Sequence, residues 1–356
     1  MATATAEPRS VTTVANDGHK HKKNALSDGQ GRLAYILLAP TLLVILVVAG
    51  IPVVMSIRES FFQTNNGVDP VTGLVAGGEQ FVGLGNFTAI FAGQDPVAGS
   101  FGTHDRFVNA FLNTTAITIV CVILETLLGV AMALIMAKAF RGRGLVRAGI
   151  LVPWAIPTIV SALMWKLIFD ADGVMNRILG SQVLWLADTG ASFWAVVIAD
   201  TWKTAPFIGL LTLAGLQTIP AEVYEAAKVD GATTWQQFTR ITLPLVKPTL
   251  VVAVLFRTLD TLRMFDLPYG MIGAGKYRVE TVSVFSYLEA TQTRYGPAAA
   301  YAIVLFLYVL LVAFLFVKVL GADVIGDTGM PKKKKDRKTK APDAAAPGLE
   351  MMGGAH

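Results

Sequence analysis

The stretch Ile219-Pro220-Ala221-Glu222-Val223-Tyr224-Glu225-Ala226-Ala227-Lys228-Val229-Asp230-Gly231-Ala232, continued through Trp235 and Phe238 to Ile241-Thr242-Leu243-Pro244, decides how this chain is read. It is a polar interval between two long apolar runs, so a protein whose apolar runs lie in a bilayer presents it to an aqueous compartment. Pro220 suits the first position of a helix, where its missing N–H is not needed. Gly231 permits a bend, and Pro244 and Pro248 mark the return to the membrane. The segment therefore reads as helix, turn, helix over 219–244. Small residues at Ala226, Ala227, Gly231 and Ala232 leave a helix surface that another protein can approach closely.

The composition outside this stretch agrees with a membrane location. Of 356 residues, 53% are hydrophobic and only 15% charged, with a mean hydropathy of +0.55. That is too apolar for an ordinary water-soluble domain. Long apolar runs occupy roughly 33–57, 107–137, 148–169, 191–216, 248–270 and 298–320, each long enough to cross a bilayer. The expected fold is an all-α integral membrane protein of six transmembrane helices. The first run follows His19-Lys20-His21-Lys22-Lys23 but exceeds the apolar core of a secretory signal, so it reads as a retained helix.

Charge then orients the helices. Lys138, Arg141, Arg143 and Arg147 fill the second connection, and Lys332 to Lys335, Arg337, Lys338 and Lys340 follow the last run. Basic connections belong on the cytoplasmic side, and an even number of spans puts both termini there. The segment at Glu225 then also faces the cytoplasm. The net charge of +5 sits at the ends of membrane runs rather than on one folded face, which speaks against nucleic acid as a partner. Residues 1–30 and 321–356 read as disordered cytoplasmic tails flanking a six-helix transmembrane domain over 31–320. The basic second tail reads as an orientation signal that also meets anionic membrane lipid, against specific recruitment of a partner.

Several chemistries are excluded. Cys121 is the only cysteine, so no intrachain disulfide or thiolate metal cluster forms. His19, His21, His104 and His356 fall in loops or tails, in no metal-ligand pair or Ser/His/Asp arrangement. Gly270-Met271-Ile272-Gly273-Ala274-Gly275-Lys276-Tyr277 nearly matches a phosphate-binding loop. Tyr277 stands where a magnesium-binding Ser or Thr is required, and no strand precedes it, so a glycine-rich outer connection is expected instead.

Glu225-Ala226-Ala227, Gly231 and Ile241-Thr242-Leu243-Pro244 in this register resemble the coupling motif of ABC importer permeases. The fuller form, with Trp202-Lys203-Thr204-Ala205-Pro206-Phe207 upstream and Asn113-Thr114 in the second run, is similar to carbohydrate permeases of the maltose and glycerol-phosphate type. It also resembles actinobacterial trehalose importers. Gly83-Leu84-Gly85-Asn86-Phe87 resembles a short segment that follows the first helix in sugar permeases. Ile272 to Lys276 departs from the family's usual outer-gate sequence.

The resemblance implies an importer permease fold and a transport subunit that is not itself an enzyme. The implied partners are a second, homologous permease, two ATP-binding subunits, an extracytoplasmic sugar-binding lipoprotein and the sugar itself. No cofactor is expected on this chain, because ATP and Mg belong to the partner subunits. The residues carried over as coupling residues are Glu225, Ala226, Ala227, Asp230, Gly231, Ala232, Ile241, Leu243 and Pro244.

Arg257, Asp260, Arg263 and Asp266 recur every third residue in the fifth run. A charge at the bilayer centre costs about 2.5 to 3.5 kcal/mol, so alternating signs at this spacing point to mutual neutralisation. Two readings stay open, a seam against a second permease and a sugar path. The candidate path residues are Asn113, Asp260, Phe265, Asp266 and Tyr269, with Phe265 and Tyr269 serving equally as core. Glu125, alone in the second run, calls for an Arg or backbone partner before any proton relay. An ion-driven secondary transporter using Glu125 or Asp260 is the alternative, with no inverted repeat in its favour. Asp200, Trp202 and Lys203 read as interfacial anchors.

Overall fold

The computed structural model describes residues 25–64, 78–92, 103–187, 189–273 and 279–319. In chain order its elements are α1 (Ala25–Ile45), a π-helical turn (Leu46–Gly50), α2 (Ile51–Glu59), β1 (Phe62–Thr64), β2 (Glu79–Phe81), α3 (Gly85–Ala92) and α4 (Thr103–Ala137). Then come α5 (Arg143–Ala155), α6 (Thr158–Ile168), α7 (Val174–Leu179), α8 (Thr189–Leu216), α9 (Ala221–Val229), α10 (Thr234–Gln237) and a second π turn (Phe238–Thr242). The chain continues through α11 (Leu243–Leu262), α12 (Asp266–Ile272), α13 (Val282–Thr291) and α14 (Tyr295–Val319).

Among the described residues, five helical stretches are long and apolar enough to cross a membrane: Tyr35–Glu59, Arg106–Ala137, Gly190–Leu216, Thr234–Leu262 and Tyr295–Lys318. The bent pair Arg143–Ala155 and Thr158–Ile168 makes up to six. The expected run at 148–169 is thus two helices. Ile156 (φ −74°, ψ 134°) and Pro157 (φ −55°, ψ 139°) are extended, because a proline disfavours helical backbone in the residue before it.

The expected run at 248–270 also differs. Its helix begins at Leu243 and ends at Leu262, and α12 restarts at Asp266. The charge ladder is therefore not continuous, and Arg263 and Asp266 stand outside the helix that carries Arg257 and Asp260. Gly270 lies inside α12 rather than in a flexible loop, and residues 274–278 are outside the described residues. At the start, α1 opens at Ala25, within the stretch read as tail; residues 1–24 and 320–356 lie outside the described residues.

The chain divides into two compact units, one made of residues up to Val120 with Pro157–Asp200 and Leu262–Leu307, the other of Cys121–Ile156, Thr201–Thr261 and Tyr308 onward. In the first unit, β1 and β2 pair antiparallel with Phe62 opposite Phe81. Asn86 is buried and its Nδ2 donates to the Ser60 and Phe62 carbonyls at 2.8 and 2.9 Å, which holds α3 to the end of α2. The Arg106 guanidinium makes a two-point pair with Glu280, each N–O distance 2.8 Å. Thr281 caps α13 and donates to the Met264 carbonyl at 2.8 Å. Phe107, Tyr301 and Phe285 stack through this core, with Tyr301 5.4 Å from Phe107 and 4.6 Å from Phe285.

In the second unit, close helix approach depends on Gly129. A Cβ built there would come within 2.8 Å of Ile208 and 3.0 Å of the Ala205 carbonyl. Small residues at helix contacts of this kind let backbones approach where lipid supplies no hydrophobic drive. Ala133, Met136 and Leu213 form a buried cluster, with Met132, Ile150 and Leu216 against it. Large apolar side chains such as Leu37, Leu46, Leu127, Leu167 and Phe314 stay uncovered, as hydrocarbon-facing side chains do.

Candidate functional site

The segment from Pro220 to Pro244 folds as two short helices leading into a membrane span. Pro220 is the residue that precedes α9, with extended backbone (φ −60°, ψ 141°), one position earlier than a first helical residue. α9 ends at Val229 and is capped by Asp230, whose N–H reaches the Ala226 carbonyl at 3.0 Å. Gly231 then takes φ +77°, a left-handed conformation that costs glycine little. The reversal closes with Ala232 N–H donating to the Ala227 carbonyl at 2.9 Å.

Thr233 caps α10 in a capping box, its N–H donating to Gln236 Oε1 at 2.8 Å while its hydroxyl accepts from Gln236 N–H at 3.3 Å. Gln237 Nε2 reaches back to the Ala232 carbonyl at 3.0 Å. The π turn follows at once, and in it Thr242 Oγ1 lies 3.0 Å from the Tyr224 hydroxyl of α9. The helix, turn, helix expectation for 219–244 describes this arrangement.

The residues fall on distinct faces. Ala227 is turned inward at 9% exposure, and Glu225, Ala226, Asp230 and Gly231 are exposed. Ala232 and Ile241 are half-buried, and Leu243 and Pro244, both exposed, open α11. Val229 is 88% and Trp235 71% exposed, with Trp235 5.7 Å from the Phe238 ring. Uncovered apolar side chains stand here beside exposed Glu222, Glu225 and Asp230, a surface suited to another protein.

A second group lies within the membrane span. Arg257, 3% exposed, donates from Nε to Glu125 Oε2 at 2.6 Å and from Nη2 to Glu125 Oε1 at 3.1 Å. Thr204 Oγ1 donates to the same carboxylate at 2.8 Å. Arg257 Nη1 also donates to Asp260 Oδ2 at 2.7 Å, and the Asp260 side chain is 58% exposed. The neutralisation expected between Arg257 and Asp260 is present, and Glu125 has the arginine partner expected of it. Arg257 is engaged within its own chain. Its burial leaves no guanidinium for a seam with another subunit.

The other candidate path residues are placed separately. Asn113 on α4 donates to the Glu280 carbonyl at 3.3 Å. Phe265 precedes α12, and Asp266, exposed, is its first residue. The Phe265 and Tyr269 rings stack at 5.1 Å, and Tyr287 of α13 stands edge-on to both at 5.0 and 5.4 Å. Tyr287 is a residue that sequence reasoning missed, since its distance along the chain hides the cluster. Lys203 and Asp200 are buried rather than interfacial. The Lys203 ammonium donates to the Ile156 carbonyl at 2.8 Å, an acceptor freed by the break before α6.

Comparison with known proteins agrees with this geometry. The sequence profile of the family described as "Binding-protein-dependent transport system inner membrane component" matches residues 125–325. The chain is 38% identical over 296 residues to the trehalose/maltose transport system permease protein MalF of Thermococcus litoralis, covering 82% of this chain and 94% of that protein. It is 36% identical over 298 residues to the trehalose transport system permease protein SugA of Mycobacterium tuberculosis, covering 83% and 91%. The fold is similar to a chain of a bacterial ABC transporter involved in import of the acidic polysaccharide alginate, with a TM-score of 0.66 at 23% identity over 83% of this chain and 99% of that one. A membrane-spanning helical chain with an exposed helical hairpin, matched by this profile and these permeases, belongs to the family of inner-membrane components of binding-protein-dependent transport systems.

Proposed function

We propose that this chain is the permease subunit of an ATP-driven sugar importer and forms half of the path for a disaccharide or oligosaccharide of the trehalose or maltose kind. The observation that carries the energy-coupling part is the exposed hairpin at Pro220–Pro244, with Val229 and Trp235 uncovered beside a cluster of acids. In this reading Glu225, Ala226, Asp230 and Gly231 meet a separate ATPase subunit, and Ala227, Ala232, Ile241, Leu243 and Pro244 hold the hairpin in shape. Both termini and the hairpin lie on the cytoplasmic side. A second permease completes the path, two ATPase subunits bind and hydrolyse ATP with Mg, and an extracytoplasmic binding protein delivers the cargo.

The sugar class rests on the relatives, two of which are permeases of trehalose/maltose and trehalose transport systems. Asn113, Asp260, Phe265, Asp266 and Tyr269 remain the candidate path residues. Of these, Asp260 offers a hydrogen-bond acceptor within the span.

Glu225→Lys tests the reading. It inverts the charge of the docking face on an exposed position and leaves membrane insertion intact, so uptake of radiolabelled trehalose and maltose by cells falls to background. Normal uptake with normal assembly of the complex refutes the role.

A further inference from the structure

We infer that the Tyr224–Thr242 hydroxyl pair is the mechanical joint between the coupling helix α9 and the membrane span α11. The inference rests on the coupling role proposed above for the hairpin. Thr242 occupies the last position of the π turn Phe238–Thr242, and its side chain is buried. Its Oγ1 lies 3.0 Å from the Tyr224 hydroxyl and 3.3 Å from the Gln237 carbonyl.

With Thr242 donating to Gln237, the Tyr224 O–H donates to Thr242, giving a chain from α9 through one threonine to the start of the π turn. A π turn carries one more residue than the α-helical ladder accommodates, and such turns occur often at functional sites. A wide turn of this kind is a place where a helix can change its winding without breaking. Here it lies between the hairpin and Leu243, and α11 runs from there to Arg257 and Asp260. A displacement of α9 is therefore felt first at Thr242 and then along α11. Tyr224 is a positioning residue, acting through Thr242 rather than on cargo or nucleotide.

The test uses the full complex, co-expressed with its second permease and ATPase subunits. Cys121, the only native cysteine, is buried, so nitroxide labels go to Val223→Cys on α9 and, in a separate sample, Val252→Cys on α11, both exposed positions. Spectra are compared without nucleotide and with ATP and vanadate. In the otherwise unaltered complex both labels respond. In Tyr224→Phe and in Thr242→Val the α9 label still responds, whereas the α11 response falls about fivefold, the scale set by loss of one hydrogen bond. Thr242→Ser, which keeps the hydroxyl, restores it, and the double variant is no worse than either single one.

A full α11 response in both single variants overturns the joint, as does an α11 label silent in the unaltered complex. An α9 label silent in the unaltered complex removes the coupling reading itself. If Tyr224→Phe does not assemble, Thr242→Val with its Thr242→Ser control decides alone.

Discussion

Glu125 and Arg257, 132 positions apart in sequence, form a two-point ion pair with N–O distances of 2.6 and 3.1 Å, and neither side chain is more than 4% exposed. In a medium without water each charge is tolerated because the other is present. Desolvation offsets most of the attraction, so the pair as a whole adds little stability over apolar residues of similar size.

That balance predicts an asymmetry between single and double replacement. Glu125→Ala removes a two-point carboxylate partner of the buried guanidinium, and costs about 3 kcal/mol, the usual scale for breaking a buried pair. Glu125→Leu combined with Arg257→Met recovers most of that loss. Thermal unfolding of the detergent-solubilised protein measures both, and equal stability of single and double variants contradicts the account.

Gly129 and Gly144 make a matched pair for a second measurement. A methyl at Gly129 meets Ile208 at 2.8 Å, whereas nothing lies within 4 Å of the same position at Gly144. Gly129→Ala is expected to destabilise by about 1 to 3 kcal/mol through overpacking. Gly144→Ala, near the start of α5, is neutral or stabilising by about 0.5 kcal/mol through lost chain entropy. Melting temperatures of the two variants, read in the same detergent, test the sign of each.

Lys203 donates to a carbonyl that the broken span leaves without its helical partner. Lys203→Met removes the donor and keeps the apolar stem, and leaves the Ile156 carbonyl short of a hydrogen bond at a cost of about 1 to 3 kcal/mol. The expected outcome is a lower midpoint of unfolding together with faster proteolysis at the 155–158 break. A variant as stable and as resistant as the parent means that Lys203 does not support this break.

Much of the hairpin at 219–244 was legible because its signals are local. Pro220 and Gly231 each act within a few residues, and a bilayer makes apolar length a near-direct readout of span. The interrupted spans were less legible. Pro157 stood in plain view, but prolines are also tolerated within membrane helices, as Pro206 is within α8, so the residue alone does not say whether a helix breaks.

By itself the sequence determined a helical membrane protein, its approximate spans, a helix, turn, helix segment at 219–244 and its likeness to importer permeases. Tertiary structure decided which intramembrane charges neutralise one another, that Asp200 and Lys203 are buried, that Tyr287 joins Phe265 and Tyr269, and that Tyr224 reaches Thr242. Hydropathy and local backbone preference are properties of neighbouring residues, whereas the partner of Arg257 is set by which helix packs beside it. Packing of that kind depends on shape at positions such as Gly129, and no spacing along one chain encodes it.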